Sequence, residues 1–223
     1  MNKMTKANLM ESWIQEIREK DNYYCFDGWK YRISGTVIEL SIVSVYTKNR
    51  NKYRCSAITI GQILKTLSTR IENGGLHFHI QSFPSIENPE IIATIRIDEN
   101  GHLPEVFPKI KNDKGVKTFR NWIFQLSEKY QFNLQEIQRP KNYYPGFTSK
   151  KPVTWFALTS LSDNPFTWLN LGNWKETILD KAMRNFPETQ ITVYDFCKNM
   201  DVSAENVNIA EDSFLQALIV FAE

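Results

Sequence analysis

Val153-Thr154-Trp155-Phe156-Ala157-Leu158-Thr159-Ser160-Leu161 runs into Ser162-Asp163-Asn164-Pro165 and then into Phe166-Thr167-Trp168-Leu169-Asn170-Leu171-Gly172-Asn173. The first run is apolar for most of its length, as in a strand buried in a sheet. Asp163-Asn164-Pro165 suits a helix N-cap region, because these side chains accept hydrogen bonds from the first free amides. From Phe166 the apolar spacing turns helical and continues to residue 184, with Leu169, Trp174, Ile178 and Met183 or their immediate neighbours expected to face inward. A strand, a capped turn and a long helix set the theme for the rest of the chain.

Upstream, Leu9, Met10, Trp13, Ile14 and Ile17 place an amphipathic helix over 5–19. Trp29, Tyr31 and Ile33 then alternate with polar residues, Ser34-Gly35 makes a turn, and 37–45 continues as a β-branched run, which predicts a hairpin. Helical spacing returns over 57–71 and stops at Asn73-Gly74-Gly75. Residues 76–83 and 91–97 read as strands, the second closed by Asp98-Glu99-Asn100-Gly101. Residues 116–130 read as a helix with Phe119, Trp122, Ile123 and Leu126 as its stripe; 131–151 reads as a long ordered loop, and 217–222 as a last apolar strand. No internal repeat, low-complexity tract or linker stands out. The expectation is an α+β fold, a mixed sheet flanked by helices, in a single domain spanning 1–223.

A formal charge of +2 gives no overall field for a nucleic acid or a membrane surface. Cys25, Cys55 and Cys197 are far apart and odd in number, which argues against a disulfide framework. The N-terminal segment that begins Met1-Asn2-Lys3-Met4-Thr5-Lys6 contains no apolar stretch of signal-peptide length, and no segment approaches the run of about 20 apolar residues a membrane helix needs. A cytoplasmic protein is the simplest expectation.

His77 and His79 share one face of a predicted strand, and His-X-His ligates zinc or iron in some proteins. No cysteine or carboxylate stands at a motif distance, so no metal site is assigned. Cys25 lacks a fixed base that would make it a catalytic thiolate, and Cys55 and Cys197 read as ordinary buried thiols. Lys109, Lys111, Lys114, Lys117 and Arg120 mix with aromatic residues, a pattern found in nucleic-acid binders. Flanking acids make a solvated face the plainer reading. Tyr143-Tyr144-Pro145-Gly146-Phe147 is either a lid or a dimer contact.

Three segments together carry a family likeness. Gly28-Trp29-Lys30-Tyr31-Arg32-Ile33, with the turn and Val37-Ile38-Glu39-Leu40, is one; Leu76-His77-Phe78-His79 with Ser85-Ile86-Glu87-Asn88-Pro89 and 90–97 is another. The third is the strand and helix from Trp155 to Asn173. In order and spacing they resemble the nitroreductase superfamily, in its Acg-like branch. The resemblance implies a homodimer that binds flavin mononucleotide and oxidises or reduces a small organic substrate, the flavin doing the hydride chemistry. No catalytic side chain is implied. By position, Asn22, Tyr23, Cys25 and Trp29 are the cofactor-binding candidates. The chain departs from the family where phosphate donors are kept, since only Lys3, Lys6, Arg18 and Lys20 precede Trp29 and Glu223 directly follows 217–222, and in the loop that would face the flavin ring, where Asp27-Gly28 replaces Gln-Pro and Cys25 replaces Asn. The resemblance leaves three readings. One is an oxidoreductase dependent on flavin mononucleotide, with a diverged and weak flavin site. Another is a catalytically silent relative that stores flavin or binds a partner. A third is a specialised dehydrogenase of natural-product maturation with a reshaped pocket. Lys111 and Lys114 are the candidates to replace the missing phosphate donors.

Overall fold

Alternation makes the first sheet and helical periodicity covers one of its faces. The computed structural model describes residues 6–19, 28–98, 118–140, 152–197 and 207–222, which form two compact units. In the first, α1 (Lys6–Glu19) precedes a hairpin of β1 (Trp29–Ser34) and β2 (Val37–Ile42). Gly35 turns the hairpin at φ +60°, a backbone region open to glycine without steric cost. The one-turn α2 (Ser44–Thr47) and the long α3 (Arg50–Asn73) come next, then β3 (His77–Ser82) and β4 (Ile91–Asp98). Every pairing is antiparallel, in the order β1-β2-β4-β3. Ile38 and Leu40 of β2 and Ile92, Ile95 and Ile97 of β4 meet Met10, Ile14 and Ile17 of α1 and Ile60, Leu64 and Leu67 of α3 in one apolar core.

The second unit holds α4 (Phe119–Lys129), β5 (Asn133–Ile137), β6 (Val153–Ser160), most of α5 (Pro165–Asn185), β7 (Gln190–Tyr194) and β8 (Phe214–Ala222). Its strands pair antiparallel in the order β5-β6-β8-β7. Phe119 of α4 lies 5.0 Å from Phe221 of β8, whose ring stacks at 5.4 Å on Phe156 of β6. On the opposite face Ala157 and Leu218 are covered by Phe196, Val207 and Ile209. The central strands are thus buried on both faces, which is why β6 and β8 read as continuous apolar runs.

The α+β class holds, and the expected mixed sheet resolves into two antiparallel ones. Taking α2 as part of a connection, α-β-β-α-β-β occurs twice with the same strand order. The trace of this in sequence is confined to one place in each long helix: Ile58-Thr59-Ile60-Gly61-Gln62 in α3 and Leu169-Asn170-Leu171-Gly172-Asn173 in α5. Trp168–Asn173 belongs to the first unit, and there the two glycines meet. A Cβ on Gly61 would stand 2.2 Å from the Leu169 carbonyl oxygen; one on Gly172 would stand 2.0 Å from that of Ile58. The contact is reciprocal, three residues back in each helix.

Several expectations need correction. Residues 131–151 are not wholly loop, since β5 lies within them, and β7 is a further strand, formed by the β-favouring run Ile191-Thr192-Val193-Tyr194. The run 37–45 ends as a strand at Ile42, because Val43 turns the backbone into α2. Asn49 starts α3 well before 57 by accepting a hydrogen bond from the Lys52 amide at 3.0 Å. In α5 the expectation holds: Leu169, Trp174 and Ile178 are buried, and at the last position Ala182, the neighbour of the 66% exposed Met183, faces inward.

Candidate functional site

Trp29 is the one flavin candidate among the described residues; Asn22, Tyr23 and Cys25 lie outside them. It opens β1 directly after Gly28, whose carbonyl accepts a hydrogen bond from the Val43 amide at 2.9 Å, and it pairs in register with Ile42. Its side chain is 8% exposed and belongs to the core cluster of the first unit. The Arg18 guanidinium lies 5.1 Å from the Trp29 ring centre and 5.0 Å from that of Tyr31, within cation–π range. α1 therefore delivers both the apolar floor and the cationic cover of this indole.

A polar network continues from there. The Tyr31 hydroxyl donates to Glu11 Oε1 at 2.5 Å, and Gln15 Nε2 donates to the same carboxylate at 3.1 Å and to the Tyr31 oxygen at 3.0 Å. The Tyr31 hydrogen bond, followed by that of Gln15, holds the Glu11 carboxyl below its ordinary value. Burial, and then the bond to Glu11, pushes the Tyr31 phenol up. Chemically this arrangement clamps α1 onto β1 and fixes the Trp29 ring in a filled space.

His77 and His79 are exposed on one face of β3, opposite Asp98 and Arg96 in register. Among the described residues no group of three potential ligands comes together to hold a metal ion. Cys55 is a buried free thiol in α3, as expected; Cys197 is only partly buried, because it lies just past the end of β7, where its amide donates to Asp195 Oδ1 at 3.2 Å. Lys109, Lys111, Lys114 and Lys117 lie outside the described residues, as does 143–147. Arg120 sits over the Phe156 ring and pairs with Glu136, a structural placement. Asn164 caps α5 by accepting from the Thr167 amide at 3.1 Å, and Asp163 accepts from Gln216 at 3.2 Å, so this segment serves the fold.

Sequence reasoning missed an ion pair in the second unit. Lys175 and Asp195 meet at 2.6 Å with side chains 16% and 14% exposed. Nothing local announces it, since the partners come from α5 and the end of β7. No helix among the described residues is long and apolar enough to cross a membrane. A scan of the sequence against protein-family models finds no match, and a search of curated proteins finds none.

Proposed function

We propose that this chain is a catalytically silent nitroreductase-like protein that binds flavin mononucleotide weakly and has little or no nitroreductase activity. The observation that carries the reading is the position of Trp29: its indole packs into the core under Arg18, so it offers no free face to an isoalloxazine ring. Loss of such a stacking partner weakens binding by roughly 0.5–1.5 kcal/mol beyond the lost contact area. In this reading Lys111 or Lys114 supplies the charge-assisted bonds to the phosphate. The protein is cytoplasmic and assembles as a homodimer.

The test is to purify the chain without added cofactor, record its visible spectrum and titrate it with flavin mononucleotide. A colourless preparation with weak, saturable binding that falls further in Lys111→Ala or Lys114→Ala is expected. A yellow preparation holding about one flavin per chain would overturn the proposal in favour of an active oxidoreductase dependent on flavin mononucleotide. Light scattering that shows only monomer at micromolar concentration would refute the dimer.

A further inference from the structure

Two surfaces that the flavin reading does not use carry opposite charge, and each bears exposed apolar side chains. At one end of the second unit, Leu161, Phe166 and Phe214 are 80%, 57% and 48% exposed. Local bonds gather them. Ser160 of β6 is the register partner of Phe214, its hydroxyl donates to the Ser162 carbonyl at 2.7 Å, and the Ser162 hydroxyl meets that of Thr167 at 2.8 Å. Asp163 is tied to β8 through Gln216. Asp163 with the exposed Glu211 and Asp212 makes this end acidic, and neither 153–174 nor 207–222 contains a lysine or arginine.

The opposite pattern stands on the first unit, at α2 and the start of α3. Residues 40–71 contain no aspartate or glutamate, while Lys48, Arg50 and Lys52 are exposed. Aromatic rings place two of these cations: Lys52 Nζ lies 4.8 Å from the Tyr46 ring centre, and the Arg50 guanidinium 5.7 Å from that of Trp168. Val45, 69% exposed, is the apolar tip beside them. Cations at the start of a helix oppose its dipole, so the stability of α3 does not account for them. Exposed apolar side chains with a charged rim are the anatomy of a protein contact. Both rims belong to the same chain and are complementary, so the attraction is built into any encounter between two copies. We propose that the two surfaces dock on each other between copies of this chain: Leu161, Phe166 and Phe214 of one copy against Val45 of the other, with Asp163, Glu211 and Asp212 facing Lys48, Arg50 and Lys52. The contact rests on the homodimer proposed above and names the surfaces that make it.

Light scattering across a concentration series tests this. The parent should form a dimer that weakens as salt rises from about 0.05 to about 1 M. Glu211→Lys with Asp212→Lys, or Lys48→Glu with Lys52→Glu, should each weaken association about tenfold or more. Mixed in equal amounts, the two variants should associate again, because their reversed charges complement each other. Leu161→Asp should weaken association as well. The urea midpoint should hold in every variant, since each altered side chain is exposed. A dimer untouched by both reversals or by Leu161→Asp, or reversed variants that stay apart when mixed, would overturn this contact and leave the homodimer standing. A parent that is monomeric at micromolar concentration would overturn both.

Discussion

Replacing Gly172 by alanine puts a Cβ 2.0 Å from the Ile58 carbonyl oxygen and 2.9 Å from both the Gly61 Cα and the Gln62 amide nitrogen. All three are backbone atoms, so no rotamer change relieves the clash. The two helices must part by about 1 Å, and a radial gap of that size forfeits a quarter to a half of each van der Waals contact across the crossing. Overpacking costs about 1–3 kcal/mol in general, and the rigid backbone places this case near 3. Alanine returns about 1 kcal/mol through its helix propensity. The expected net loss is about 2 kcal/mol, or roughly 4–8 °C in Tm for a chain of this size. Urea unfolding followed by tryptophan fluorescence should show a lower midpoint at unchanged slope. Gly61→Ala meets the Leu169 carbonyl at 2.2 Å and should cost a similar amount. Because one separation relieves both clashes, the double variant should lose less than the two losses combined. A Gly172→Ala midpoint equal to or above that of the parent would refute the close-approach argument.

Asn164→Ala removes the acceptor for the Thr167 amide and should destabilise the fold by about 1 kcal/mol in the same assay. Asp195→Ala leaves Lys175 largely buried without its partner and should cost about 3 kcal/mol, whereas Lys175→Met with Asp195→Leu should cost about 1 kcal/mol, the share of the Cys197 amide that loses its acceptor. Burial raises the Tyr130 phenol above its unfolded value while its hydrogen bond to Thr177 acts to lower it. A group raised on folding contributes stability that is complete below its unfolded pKa of about 10 and is lost as pH climbs through the folded value. Tyr130→Phe should therefore flatten the alkaline limb of a stability–pH curve, at a cost of about 1 kcal/mol near neutrality for the lost hydrogen bond at 3.1 Å. An alkaline limb that falls equally steeply in the variant would show that Tyr130 does not govern it.

Legibility in the sequence tracks burial. The stripe of Phe119, Trp122, Ile123 and Leu126 announces α4 because all four side chains are buried on one face. The apolar runs of β6 and β8 are legible for the same reason, both faces of those strands being covered. β5 is not, because it lies at a sheet edge and buries only Leu134, whereas the edge strand β7 has no fully buried side chain yet carries the strand-favouring Ile191-Thr192-Val193-Tyr194. Trp29 is legible as the start of a strand, but its cover by Arg18 is a tertiary event with no local signature. Gly61 illustrates the same limit. A glycine inside a helix reads as a small local penalty, and its reason appears only when Gly172 is seen beside it.

The membership of Trp168–Asn173 in the first unit bears on the order of synthesis. When Lys109 has been added to the growing chain, the element that closes the notch above Gly61 has yet to be made. Leu169, a member of that unit's hydrophobic core, arrives sixty positions later. At about 5–20 residues per second, the ribosome delivers it roughly 3–12 s after Lys109. Through that interval Ile60 and Ile63 belong to a core that still lacks Leu169. A chain cut after Lys109 never leaves that state.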